Sequence, residues 1–241
     1  MELKVKGIVL RSSDYKEKDK LVEIFTLENG KLIALLKGCK APNAKLKFAF
    51  QPFCFAEFNL SKNGNYFLIT NANLFDSFFD LVTDLDSYYL CSLILELVKT
   101  TNEAEIPNPP LFLNVLNALK YICYEKYNSK IVFLKFALDL LKNNGYQLNF
   151  NECSACHLPL LNRKKCLNLD NGSVVCSSCE TQNSARIDDA SFNILKLISN
   201  TELKRLNTLK FRDNILLETI KLLCKNIENR FNTNLKSFFE N

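Results

Sequence analysis

Four cysteines pose the first chemical question. Cys153-Ser-Ala-Cys156 is followed, after 19 residues, by Cys176-Ser-Ser-Cys179. A CxxC turn presents two thiolates to one point, and two such turns complete a tetrahedral Zn2+ shell. Asp170-Asn171-Gly172 lies between the pairs and is a hairpin turn that returns the second pair to the first. A site closed by four thiolates leaves no coordination position for substrate, so the spacing predicts structural zinc. Redox pairs and packed thiols are the alternatives. His157, the single histidine, follows Cys156 and could replace one cysteine as ligand; a solvated turn residue fits it better. Cys39, Cys54, Cys91, Cys123, Cys166 and Cys224 stand alone and read as small core residues.

Cations come second. Lys37, Lys40, Lys45 and Lys47 fall within eleven residues around Gly38 and Pro42, in a segment expected to be an inter-strand loop. Arg11, Lys16, Lys18 and Lys20 are expected in the loop before it. Lysines that track phosphate beside aromatic faces that stack bases are the chemistry of single-strand binding. Phe48, Phe50, Phe53, Phe55, Phe58, Tyr66 and Phe67 supply aromatics, most of them expected in the core. A charge run is also what a plain solvated loop looks like. Lys204, Arg205, Lys210 and Arg212 form a second cationic stretch, read as solvated charges between helices.

The chain points away from enzymes. One histidine leaves little room for histidine-based catalysis, and HExxH, GxSxG and Walker patterns do not occur. The acidic pair Asp188-Asp189 sits where helix capping accounts for it.

The elements that must position these residues change character along the chain. The first 75 residues hold five short β-type runs: Lys4–Leu10, Leu21–Leu27, Leu32–Leu36, Phe53–Leu60 and Tyr66–Thr70. Asn29-Gly30 and Asn63-Gly64 supply turns, and five strands in this length fit a small closed barrel. Beyond residue 76 the apolar period becomes helical. Helices are expected over Tyr88–Val98, from Pro109 to Cys123 and over Ile131–Leu141, the last apolar nearly all round and stopped at Asn144-Gly145. Asp188 or Asp189 is expected to cap one more helix and Asp213 the final long one. The fold class is thus α+β and multidomain: a barrel over 1–78, a helical domain from 79–150 and 183–241, and a four-cysteine zinc module over 151–182.

Length and composition agree. The 241 residues are 47% hydrophobic and 24% charged, an ordinary globular balance. The net charge of +5 is uneven: residues 1–75 carry +5, residues 76–150 carry −3, and residues 183–241 carry +3. That asymmetry predicts a localised anion-binding face. No apolar run reaches the length of a membrane span, and the N-terminus lacks a signal-peptide core, so a cytoplasmic protein with reduced thiols is expected.

These features, in order, resemble the RecO family of bacterial recombination mediators. The segment from Lys6 to Pro42 is similar through Gly7, Val9, Leu10, Tyr15, Asp19, Lys20, Leu21, Gly30, Lys31, Lys37 and Gly38. Gln51-Pro52-Phe53, Glu57-Phe58, Tyr88-Tyr89, the stretch from Phe136 to Gly145-Tyr146, the two CxxC pairs and Leu235-Lys236-Ser237 continue it. The resemblance implies an OB-fold, binding of single- and double-stranded DNA, annealing of complementary strands and work with RecR. It also implies contact with the C-terminal tail of the single-stranded-DNA-binding protein, RecA being served indirectly. Lys135 stands at the family's tail-binding position. Lysines and Asn43 replace the arginines usual after Lys37-Gly38, which predicts modest, salt-dependent affinity. An RNA-binding barrel with a zinc ribbon is the competing reading.

Overall fold

A computed structural model describes residues 2–64 and 66–235. Lys236 and Ser237 of the tail resemblance lie outside the described residues. The chain divides into two compact units, Met1–Tyr124 and Glu125–Asn241.

The first unit is built on five strands: β1 (Glu2–Tyr15), β2 (Asp19–Thr26), β3 (Gly30–Leu36), β4 (Phe55–Asn63) and β5 (Tyr66–Asp76). They close in the order β1-β2-β3-β5-β4, with β1 also pairing β4. The β3–β5 contact is the one parallel pairing in this barrel, through Ala34↔Phe67 and Leu35↔Leu68. This is the expected OB-type barrel, a five-stranded architecture that leaves few free edges. Val5, Val9, Val22, Ile24, Ala56, Phe58 and Leu60 fill its interior. Gly7 is required there: a Cβ would clash with the Ile24 side chain.

The strands are longer than the apolar runs suggested. β1 continues past Leu10 through a bulge between Val9 and Arg11 and pairs as far as Tyr15↔Asp19. The supposed loop from Arg11 to Lys20 is therefore mostly a polar hairpin, with only Lys16, Glu17 and Lys18 outside the strands. Its residues project beyond the core, where pairing rather than burial selects the strand, so an apolar-run criterion stops too early.

Two helices complete this unit, α1 (Leu85–Thr101) and α2 (Pro109–Cys123). They cover aromatic rings on the barrel's outer wall. Phe25 and Phe55 lie 5.7 and 6.1 Å from Phe112, and Phe53 packs edge-on at 5.4 Å against Tyr88. Asn108 caps α2 through Leu111 N–H, and Lys31 Nζ donates to the Lys99 and Asn102 carbonyls at the end of α1. Both helices thus share a unit with the barrel. Gly30 at φ 66° makes the β2–β3 turn, and a Cβ there would collide with the Ile106 backbone, whose nitrogen would be 2.7 Å away.

In the second unit α3 (Ser129–Asn143) is buried on nearly every side and packs with α4 (Asp189–Ser199) and α5 (Asp213–Phe231). Asn128 caps it, accepting from Lys130 and Ile131 N–H, and the stop at Gly145, φ 81°, matches the sequence expectation. Asp188 caps α4, accepting from Ser191 N–H at 2.9 Å. Asp213 does not cap α5. The N-cap is Arg212, without a side-chain bond; Asp213 is the first helical residue and pairs with Lys130 at 3.2 Å. An acid there still favours the helix dipole. Between α3 and α4 runs a small antiparallel sheet, β7-β6-β8: β6 (Lys165–Asn168), β7 (Ser173–Cys176) and β8 (Ser184–Ile187). Among the described residues no helix is long and apolar enough to cross a membrane.

Candidate metal centre and nucleic-acid interface

The four cysteines converge. The Sγ atoms of Cys153, Cys156, Cys176 and Cys179 all lie within 4.8 Å of one another. Cys156 and Cys176 are 3.9 Å apart, too far for a disulfide, and all ten cysteines are free. A tetrahedral zinc with bonds of about 2.3 Å sets its sulfurs about 3.8 Å apart, so the arrangement has the size of a four-thiolate zinc shell.

Local backbone chemistry builds this arrangement. Cys153 sits at the end of a bridge between Glu152 and Pro159, and its N–H donates to Leu158 O. His157 N–H returns to Cys153 O at 2.9 Å, and His157 takes a positive φ of 59° to close the turn. Ser154 N–H reaches Val174 O, which ties the first CxxC to β7. The β6–β7 hairpin turns at Asp170-Asn171-Gly172, as its residues predicted, and delivers Cys176 to Cys153. Cys176 N–H then donates to Cys153 Sγ at 3.3 Å.

Such N–H···S bonds prepare thiolates. Burial pushes the Cys153 thiol up, but the N–H groups of Cys156, Cys176 and Ala155 outweigh it and bring the group down to about 6. Cys176 is likewise lowered: burial opposes, and Ser178 N–H and neighbouring sulfurs prevail. Cys179, pressed by the Cys156 and Cys176 sulfurs, is pushed up to about 12. Four sulfurs this close repel as anions unless a cation sits among them, so the donor set fits zinc. His157 is apart from the cluster; it is exposed, with Nδ1 3.7 Å from Glu152 Oε1.

The hairpin is also anchored to α5. A Cβ on Gly172 would meet Arg230 Cδ at 2.7 Å and Asn226 Oδ1 at 2.8 Å. Arg230 in turn lies 4.1 Å over the Tyr146 ring. The remaining cysteines are buried, as expected, and Cys166 donates to Glu180 at 3.1 Å.

The cations of the first unit are sorted by the fold. Lys40 N–H donates to Lys18 O at 3.2 Å and Gly38 N–H to Asp19 Oδ1 at 2.8 Å, so the β1–β2 turn and the loop after β3 are stitched side by side. This brings Lys18, Lys20, Lys37 and Lys40 to one end of the barrel. Asp14 binds two of them, Lys20 at 2.9 Å through Oδ1 and Lys40 at 2.9 Å through Oδ2. These two lysines hold the Asp14 carboxyl below the usual range. Lys20 Nζ also stands 5.1 Å over the Phe50 ring, and Lys16 stands 5.5 Å over Tyr15.

Lys45 and Lys47 follow along the same loop, Lys47 donating to Pro42 O at 2.6 Å. Among the described residues Lys18, Lys37 and Lys45 form no ion pair. Arg11 stands apart. Its guanidinium binds Glu23 at 2.7 Å, which raises its pKa, and Glu96 on α1 adds to the negative field around it.

Of the aromatics, Phe53 and Phe58 are buried, Phe48, Phe50, Phe55 and Phe67 half-buried, and Tyr66 exposed. Lys135 is only 12% exposed in its side chain and binds Asp139 at 3.0 Å, one turn along α3. Sequence reasoning missed three acidic partners: Asp14, Glu23 and Asp139. The first was legible once the turn at Lys16–Lys18 is recognised, because hairpin register then sets Asp14 opposite Lys20.

The architecture defines a class: an α+β protein whose N-terminal five-stranded barrel is followed by a helical region carrying a four-cysteine, metal-type cluster. Two family models match in sequence, recombination protein O N terminal over residues 1–78 and recombination protein O C terminal over residues 82–238. The chain is 30% identical over 234 residues to a DNA repair protein RecO of Clostridium novyi, covering 97% of this chain and 91% of that one. It is 29% identical over 236 residues to DNA repair protein RecO of Desulforamulus reducens, with 97% and 91% covered. For that of Caldicellulosiruptor saccharolyticus the figures are 30% over 213 residues, with 88% and 86% covered. The chain therefore belongs to the recombination protein O family of DNA-repair proteins.

Proposed function

We propose that this chain is a non-catalytic mediator of DNA repair. It binds single- and double-stranded DNA, anneals complementary strands and, with RecR, helps load RecA where the single-stranded-DNA-binding protein coats the strand. The observation that carries the reading is the juxtaposition of two lysine-bearing loops at one end of an OB-type barrel, in a chain matched by both halves of this family.

Annealing asks little of a protein beyond charge. Two strands repel, and a cationic edge that neutralises phosphates on both lowers that barrier and releases counterions. Lys16, Lys18, Lys37, Lys45 and Lys47 are exposed at or beside that edge, and Lys20 and Lys40 are half-buried within it. Arg11 belongs to the assignment only where Glu23 yields it. In the second unit Cys153, Cys156, Cys176 and Cys179 would hold Zn2+ as a structural ion. Zinc bound by four thiolates supplies cross-linking and no open coordination position. The tail of the single-stranded-DNA-binding protein is assigned to Lys135, whose ammonium must then exchange Asp139 for a carboxylate of the tail. No membrane partner is part of this reading, which places the protein in the cytoplasm with DNA.

Equilibrium binding to single-stranded DNA and to RNA of equal length tests the assignment. DNA binding whose log affinity falls linearly with log salt is expected. Preference for RNA, or affinity flat in salt, would overturn it. A tail peptide that binds Lys135→Glu as well as the parent chain would remove the tail site.

A further inference from the structure

Asp14 is an acid in the middle of a cationic edge. Its two carboxylate oxygens each bind a different lysine, one on β2 and one on the loop after β3. Both ammonium groups are thereby paired from a single point. A phosphate offers the same chemistry: two anionic oxygens on one centre, taken up by two charge-assisted hydrogen bonds. Beside that point, Lys20 also rests over the half-buried Phe50 ring, a flat apolar face of the kind on which a base stacks.

The carboxylate is not needed to hold the two loops together. Lys40 N–H to Lys18 O, a backbone pair, and Gly38 N–H to the Asp19 side-chain Oδ1 already join them. Asp14 is 67% exposed in its side chain, whereas Lys20 and Lys40 are 19% and 28% exposed. The acid can therefore swing into water while the lysine stems keep their places.

We propose that Asp14 is an internal phosphate surrogate: it occupies the position where Lys20 and Lys40 receive a nucleic-acid phosphate, and strand binding displaces it. This rests on the nucleic-acid reading above and adds a regulatory element to that surface. The acid lowers affinity at the barrel end, and it spares two lysines from adventitious anions until a polyanion outcompetes it. Exposed ion pairs are weak, so the brake is small and a strand releases it readily.

The test is fluorescence anisotropy of a single-stranded oligonucleotide on the full-length, zinc-loaded chain. Asp14→Asn is compared with Glu57→Gln, which removes the same charge and frees Lys4 elsewhere on the barrel. At low salt Asp14→Asn should tighten binding about two- to fivefold, the scale of an exposed ion pair. It should steepen the slope of log affinity against log salt by up to about 0.7. Glu57→Gln should do less, and the gain from Asp14→Asn should vanish in a Lys20→Gln/Lys40→Gln background. Asp14→Ser should repeat the result. Unchanged or weaker binding by Asp14→Asn, with Lys20→Gln/Lys40→Gln still weakened, overturns the surrogate and leaves the DNA surface standing. An equal gain in the double-lysine background overturns it as well, since the effect is then only net charge. A parent chain that binds no DNA at low salt overturns the nucleic-acid reading itself.

Discussion

In the second unit, four sulfurs within 4.8 Å are fixed by turns, a hairpin and N–H···S bonds. At the barrel end, lysines hang on long stems, some paired, some free, across a hairpin turn and a neighbouring loop. The first arrangement fails if one member is lost, because a metal shell demands every donor. The second loses one charge at a time. A cation surface for a polymer needs no fixed distance, since phosphates repeat along the strand and counterion release counts charges rather than angles. On the function proposed above, this contrast also separates the roles: the cysteines would hold a structure, and the lysines would meet a ligand.

The contrast can be broken most severely at the cysteines. Cys153→Ser should abolish stoichiometric zinc and destabilise the second unit by several kcal/mol, given that structural zinc supplies about 10–16 kcal/mol in small peptides. Metal content and thermal unfolding measure this; full zinc retention with an unchanged transition would show that three thiolates suffice. Gly172→Ala comes next. A Cβ at 2.7 Å from Arg230 and a φ of 68° both oppose it, so a loss of about 2–3 kcal/mol is expected. Gly38→Ala has open space around it and should cost only the backbone term, about 1 kcal/mol.

Asp188→Ala should cost about 1 kcal/mol through the lost cap of α4. Burial opposes its ionisation, but Ser191 and backbone N–H bonds hold its pKa below the usual value. A lowered folded pKa means the contribution is complete above the unfolded value of about 3.9 and fades as pH falls through the folded one. The stability gap between parent and variant should therefore begin to close as pH falls below about 4, as urea titrations at several pH values would show. The smallest effect is Lys37→Gln: single-strand affinity should fall by a few-fold at low salt and by less at high salt, with the unfolding temperature unmoved.

How legible these features were depends on what fixes them. The CxxC spacing and the Asp170-Asn171-Gly172 turn are local, so the four-cysteine cluster could be read from the chain and the hairpin found where expected. The barrel was legible from five apolar runs, and α3 from its all-round apolarity. The polar half of the β1–β2 hairpin was not, because Ser12 to Lys20 carries no apolar alternation and its order comes from cross-strand pairing. The docking of α1 and α2 on the barrel was equally hidden. It rests on Phe25, Phe53 and Phe55, whose outward side chains look like core residues in sequence. The acids that occupy Arg11, Lys20 and Lys135 required register or helix phase. For that reason the pairing of these cations could not be read in the sequence, whereas the convergence of the cysteines could be read from their spacing.

Strand annealing tests the central claim most directly. Complementary oligonucleotides, bare or precoated with single-stranded-DNA-binding protein, are mixed with the zinc-loaded chain at two salt concentrations without ATP. The account predicts annealing on both substrates, stronger at low salt. A folded, zinc-loaded chain that anneals neither would contradict it.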